Sequence, residues 1–130
     1  MDLEIKDRIA IVTGSSRGIG KAIAFGLARK EVKVTICARN EEELRKTAEE
    51  IASSTGTEVL PVRTDVTNKE NIRSLVTRTV EKFGRVDILV NNTGGPPASL
   101  FLETSEKDWR ETVDLLLMSV IDCCMEVIPT

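Results

Sequence analysis

At 130 residues the chain is the size of one ordinary domain, and with 41% hydrophobic and 30% charged residues it can bury a core and stay soluble. A net charge of −3 and an isoelectric point near 5.1 give no general attraction to nucleic acid or to anionic membranes. Histidine and tyrosine are both absent, which removes the commonest general base and the phenolic acid from any mechanism.

The start, Met1 to Asp7, is charged and lacks the apolar stretch of a signal peptide. No apolar run, that of Leu115 to Met118 included, exceeds four residues, far too short to span a bilayer. Cys37, Cys123 and Cys124 make an odd count without CxxC spacing. With no histidine in the chain, that pattern argues against a zinc site and points to free thiols in a reducing cytosol, so a cytoplasmic location is expected.

Arg8 to Thr13 is a β-rich run that stops at Gly14. Gly18 to Lys30 then has helical spacing, with Ile19, Ala22, Ile23 and Leu27 on one face. Val32 to Ala38 reads as a second strand. Asn40 is placed to cap the next helix, with Glu43 as its capping-box partner, and the helix runs through Leu44, Ala48 and Ile51 to Gly56. Glu58 to Arg63 reads as a third strand, and Pro61 within it requires an edge position. Thr67-Asn68-Lys69-Glu70 is a second capping box, opening a helix that carries Ile72, Leu75, Val76 and Phe83 and stops at Gly84. Asp87 to Asn91 reads as a fourth strand, followed by a Gly-Gly-Pro-Pro loop. Ser105 then caps a long helix that continues to about Ile128. Strands alternating with helices imply an α/β fold, a doubly wound (Rossmann) parallel sheet with helices on both faces and strand order 3-2-1-4.

Between the first strand and the first helix lies Thr13-Gly14-Ser15-Ser16-Arg17-Gly18-Ile19-Gly20. A strand that feeds through glycine into a helix presents unpaired N–H groups at the positive end of the helix dipole, which is an anion site. Gly14 permits the tight turn, Gly18 lets a pyrophosphate approach, and Gly20 lets the helix pack close to the sheet. The spacing is Gly-x-x-x-Gly-x-Gly, not Gly-x-Gly-x-x-Gly. At the end of the second strand, where an acidic residue would hold the ribose 2′-hydroxyl of NAD, stands Ala38. Arg39 follows it, and Arg17 sits inside the glycine turn. Two guanidinium groups on one pocket suit a 2′-phosphate, so the expected cofactor is NADP, with Asn40 in the same binding set. The competing reading leaves both arginines as solvated surface charges.

With these pieces in place the chain resembles the short-chain dehydrogenase/reductase family, most nearly its 3-oxoacyl-carrier-protein reductase branch. The turn matches that family's Thr-Gly-x-x-x-Gly-x-Gly. Asp65-Val66 resembles its adenine contact, Asn91-Asn92-Thr93-Gly94 its Asn-Asn-Ala-Gly motif, and Trp109 the aromatic residue early in the following helix. The resemblance implies that Asp65 and Val66 contact adenine and that Asn92 and Gly94 line the nicotinamide ribose. Asp65 is equally readable as a turn residue, and the two asparagines as a turn closing the strand. The implied activity is hydride transfer between NADP(H) and a small carbonyl or secondary alcohol.

The pattern breaks at catalysis. The family uses a Ser, a Tyr-x-x-x-Lys pair and an Asn on the helix after the fourth strand. This chain has no Tyr, and Leu116 stands where the Asn falls. No catalytic residue is therefore expected on it. Residues 1–130 read as one incomplete dinucleotide-binding domain without a catalytic half: either the N-terminal part of a longer protein, which is favoured, or a natural short product. The fragment alone is expected to be inactive. Two further readings stay open, a nucleotide-binding or sensing module without chemistry and, more weakly, a Rossmann-like methyltransferase. The apolar helix face of Trp109, Val113 and Leu115 to Val120 is first a core face and second a contact in a homo-oligomer.

Overall fold

Strands β1 (Ile9–Val12), β2 (Lys33–Ala38), β3 (Val59–Arg63) and β4 (Ile88–Val90) lie parallel in one sheet ordered β3-β2-β1-β4. They belong to a computed structural model that describes every residue from Met1 to Thr130. Helices α1 (Gly18–Arg29) and α2 (Glu41–Thr55) cover one face of the sheet. Helix α3 (Lys69–Phe83) covers the other face, with α5 (Ser119–Val127) packed on it; α4 (Glu106–Val113) precedes α5.

Two-sided coverage explains why all four residues of β1 are buried. Ala10 and Val12 join Val34 and Ile36 of β2 under Ala24, Ala28, Leu44, Ala48 and Ile51. Ile11 points the other way, with Cys37 and Val62, toward Leu75 and Val76 of α3. Ile11, Ile36, Leu44, Ile51, Ile72 and Leu75 are almost completely buried. At about 1.5–3 kcal/mol each, they outweigh any single hydrogen bond discussed below. Pro61 sits in β3, which pairs with β2 alone, so its missing N–H breaks no ladder on the open side.

Helix ends follow local chemistry. The Asn40 side chain accepts from Glu43 N–H at 3.0 Å, and the Ser105 hydroxyl accepts from Asp108 N–H at 3.1 Å. Gly56 and Gly84 close α2 and α3 with φ of +71° and +94°, the left-handed conformation expected there.

Three expectations are corrected. Asn68, not Thr67, caps α3, accepting from Asn71 N–H at 3.1 Å. The Thr67 hydroxyl is drawn instead to Asp65, donating to its Oδ1 at 2.7 Å. Glu43 does not reach back to the Asn40 amide to complete a capping box; its carboxylate turns to Ser16. The long last helix is not uniform, because residues Asp114–Met118 form a π-helical turn between α4 and α5. Ser119 explains the turn: its hydroxyl bonds the Leu115 carbonyl at 2.5 Å, while its amide reaches past to the Asp114 carbonyl.

No helix is long and apolar enough to cross a membrane. Because all strands run parallel, their C-terminal ends open on one side. The chain leaves β1 toward β2 on one flank and meets β4 on the other, which places a crevice above the end of β1.

Candidate functional site

A cleft of about 830 Å³ occupies that crevice, walled by the glycine turn, the ends of β2 and β3, and the loop after β4. Gly14 has φ +57°, and a Cβ on it would lie 2.5 Å from the Asn92 carbonyl oxygen. A Cβ on Gly20 would collide with the Gly14 carbonyl and lie 2.7 Å from Asn92 Nδ2. These two glycines are required by the protein's own packing. Gly18 differs: it has φ +62°, and a Cβ there would meet nothing within 4 Å. Gly18 is the first residue of α1, whose first turn has no acidic residue and no side-chain cap; it adjoins the cleft-lining Arg17 and Ile19 without itself lining the cleft. Unpaired N–H groups beside open space fit a phosphate group.

The remaining turn residues divide sharply. Ser15 is fully buried; its hydroxyl donates to Val12 O at 2.6 Å and accepts from Cys37 N–H at 3.0 Å, and its amide donates to Cys37 O at 3.0 Å. Ser15 therefore ties β1 to β2 and does not face the cleft. Ser16, Arg17 and Ile19 do face it, Ile19 being 73% exposed. Helix α2 grips Ser16 twice, by Thr47 Oγ1 donating to its carbonyl at 2.6 Å and by Glu43 Oε1 accepting from its hydroxyl at 3.0 Å. The same Oε1 lies 3.9 Å from Arg17 Nε.

Arg39 and Asn40 line the cleft at the end of β2, and Arg63 Nε donates to the Arg39 carbonyl at 3.1 Å, fixing that backbone. Asp65 and Val66 line it after β3. Asp65 Oδ1 accepts from Thr67 N–H at 2.9 Å as well as from the Thr67 hydroxyl. These Thr67 bonds, with the charges of Arg39 and Arg63, hold the Asp65 carboxyl below its ordinary pKa. Asp65 is thus a turn residue and a cleft residue at once.

Beyond β4, Asn92 Nδ2 donates to Gly14 O at 2.9 Å, which ties this loop to the glycine turn. Gly94 lines the same wall. The structure therefore gathers Gly14, Ser16, Arg17, Ile19, Arg39, Asn40, Asp65, Val66, Asn92 and Gly94 around one cleft, and sets Ser15 and Gly20 behind it as scaffold.

Glu43, Thr64 and Asp114 also line the cleft and were not singled out from sequence. Thr64 directly follows a parallel strand, a position that signals a ligand edge in such sheets. Glu43 reads from sequence as a cap partner, and Asp114 arrives through the π turn. Leu116, 44% exposed, lies in that π turn, while its neighbour Leu115 faces the cleft. Cys37 lies at the floor; burial pushes its thiol up to about 12, which keeps it protonated and inert.

Residues 8–130 match the short chain dehydrogenase family. An uncharacterised oxidoreductase of Listeria monocytogenes is 35% identical over 128 residues, covering 98% of this chain and 51% of that protein. A 3-oxoacyl-[acyl-carrier-protein] reductase of Synechocystis is 37% identical over 121 residues, covering 92% of this chain and 49% of that one. The crystal structure of L-sorbose reductase from Gluconobacter frateurii, complexed with NADPH and L-sorbose, matches with a TM-score of 0.95 at 33% identity, over 99% of this chain and 49% of that one. The chain spans about half the length of the curated relatives it matches. With the strand order, the glycine turn and the crevice agreeing with that match, the chain belongs to the short-chain dehydrogenase family.

Proposed function

We propose that this chain is the NADP(H)-binding part of an oxidoreductase that moves hydride between NADP(H) and a small carbonyl or secondary alcohol. One observation carries the reading: the open side of Gly18 at the uncapped start of α1 lies in a turn that holds Arg17, across a cleft from Arg39, with Ala38 where a carboxylate would select NAD. In this assignment the Gly14–Gly20 turn holds the pyrophosphate, with the amides near Gly18 and Ile19 as donors. Ser16, Arg17, Arg39 and Asn40 hold the 2′-phosphate. Asp65 presents Oδ2 to the adenine amino group, Val66 flanks the ring, and Asn92 and Gly94 border the nicotinamide ribose. Ser15 and Gly20 act by shaping the turn.

The bound nicotinamide would supply or accept hydride. The chain's own residues bind and orient it; without a tyrosine, and with Leu116 at the family's Asn position, they lack the groups that carry the proton in that family. Binding without turnover is therefore expected of the 130-residue chain. NADPH fluorescence titrated with purified chain should saturate, and tighter for NADPH than for NADH. No binding at about 1 mM NADPH, meaning an affinity weaker than about 4 kcal/mol, overturns the reading. Turnover of NADPH with a carbonyl substrate by chain of confirmed mass overturns the claim of inactivity.

The missing Tyr and Asn also favour a second reading, a module that holds a nucleotide without chemistry. Assaying the full-length protein with NADPH and a carbonyl panel separates the two.

Trp109, Val113, Leu117, Ile121 and Met125 recur every fourth residue along α4 to α5 and are 39% to 69% exposed. Such an apolar stripe supports a second copy of this chain as partner. Sedimentation of the full-length protein as a monomer would remove that support.

A further inference from the structure

Three carboxylates open α2, and only one of them faces the glycine turn. Glu41 pairs with Arg45 at 3.1 Å and Glu42 with Lys46 at 3.2 Å, both along the helix surface. Glu43 points to the cleft instead, with Oε1 3.0 Å from Ser16 Oγ and 3.9 Å from Arg17 Nε. Its backbone position is fixed by the Asn40 cap, and Thr47 one turn later anchors the Ser16 carbonyl. The carboxylate is therefore held in place by the fold, not left to wander on the surface.

We propose that Glu43 sets cofactor specificity as a built-in anion that competes with the cofactor's 2′-phosphate. The proposal rests on the NADP(H) reading above, because it takes Ser16, Arg17 and Arg39 as the groups that meet the 2′-phosphate. Glu43 already engages two of them, Ser16 and Arg17. A 2′-phosphate arriving there meets a like charge, and to use Arg17 it must share or displace the Glu43 contact. A 2′-hydroxyl pays no such repulsion and can donate to the carboxylate. Glu43 thus narrows the gap between the two cofactors that Arg17 and Arg39 open.

The test is binding of NADPH and NADH to the wild-type chain and to Glu43→Gln. Glutamine keeps an oxygen to accept from Ser16 Oγ and removes only the charge. The NADPH dissociation constant should fall on the order of fivefold, the size of one partly screened charge pair, while that for NADH changes less than about twofold. Raising the salt concentration should shrink the gain. Glu43→Asp, which keeps the charge and withdraws it from Arg17, should fall between the two. Thermal melts of each variant establish that the fold is kept. An unchanged NADPH-to-NADH ratio in folded Glu43→Gln overturns the proposal. A wild-type chain that prefers NADH overturns the NADP(H) reading, yet a shift toward NADPH in Glu43→Gln would still uphold Glu43 as the discriminator. A chain that binds neither cofactor overturns both.

Discussion

The Thr13 hydroxyl bridges the backbone of Asn92 in both directions, accepting from its N–H at 2.8 Å and donating to its carbonyl at 2.8 Å. Thr13 directly follows β1 and is 1% exposed; Asn92 lies two residues past β4. One hydroxyl therefore continues the β1–β4 ladder beyond its last strand residue, and the Thr13 amide adds a bond to Val90 O at 3.0 Å. This is what holds the loop after β4 over the glycine turn.

Replacing that hydroxyl by a methyl group of the same shape leaves the Asn92 amide without its partner. Thr13→Val should cost about 1–3 kcal/mol in urea unfolding, while Thr13→Ser, which keeps the bridge, costs less. The loop should loosen as well, so cofactor affinity falls further in the valine variant than in the serine variant. Equal stability of the two variants would show that the bridge contributes nothing.

Gly20 and Gly26 both lie inside α1 and should respond oppositely to alanine. A Cβ on Gly20 meets the Gly14 carbonyl, a backbone atom that cannot swing aside, so Gly20→Ala must push α1 off the turn. We expect a loss of about 1–3 kcal/mol and of cofactor binding together. A Cβ on exposed Gly26 meets nothing within 4 Å. Gly26→Ala should raise stability by about 0.5–1 kcal/mol with binding unchanged, since only helix propensity is at stake. Melting curves with and without NADPH read both variants; a stable Gly20→Ala that still binds would refute the packing account.

Features set within a few residues were readable from sequence. Asn40, Gly56, Gly84 and Ser105 act within one helical turn, and Pro61 constrains its own strand, so each was placed as the structure has it. Where two neighbours compete for one task, local chemistry does not decide. Thr67 and Asn68 are both good caps, and the winner is set by Asp65 capturing the Thr67 hydroxyl. Contacts between distant residues were out of reach. Glu43 meets Ser16 across 27 positions, and Ser15 meets Cys37 across 22. For that reason Glu43 reads from sequence as a cap partner although it lines the cleft, and nothing in the sequence marks Ser15 as the buried tie between β1 and β2. The π turn was hidden too, because a single hydroxyl, that of Ser119, redirects the ladder inside an otherwise regular helical pattern.

Asp87 should shape the acid limb of stability. Its Oδ2 accepts from Ile9 N–H at 2.9 Å and from Arg85 Nε at 2.8 Å, pinning the first residue of β1 to the entry of β4. Burial, the largest influence, pushes the carboxyl up; the Arg85 and Ile9 bonds and the charges of Arg85 and Arg8 together outweigh it and hold the pKa below its ordinary value. A depressed pKa means the folded chain favours the carboxylate, so this stabilisation is present above about pH 4 and is lost as pH falls through the lower folded value. Asp65, lowered chiefly by its Thr67 bonds, acts in the same direction. Asp87→Asn should therefore be less stable at pH 7, by about 1 kcal/mol, and should lose less than wild type on acidification. Parallel unfolding curves from pH 7 to about pH 3 for both proteins would contradict this.

The thiols offer a probe of the site that needs no ligand. Cys37 and Cys123 are buried, and burial pushes them up to about 12 and about 11. At pH 8 a thiol with a pKa near 12 is about one part in ten thousand thiolate, and the thiolate is the reactive form. Cys124 is half-buried and reachable. Iodoacetamide at pH 8 should therefore modify Cys124 first in the native chain, and all three cysteines only in urea. Because Cys37 sits at the cleft floor, locked by Ser15, its labelling rate in native buffer reports opening at the C-terminal ends of β1 and β2, where the cofactor is proposed to lie. Saturating NADPH should slow that rate by favouring the closed form. Rapid labelling of Cys37 in the native chain, or a rate indifferent to bound NADPH, would mean that the floor beneath the cleft is not the rigid platform that the Ser15 bonds imply.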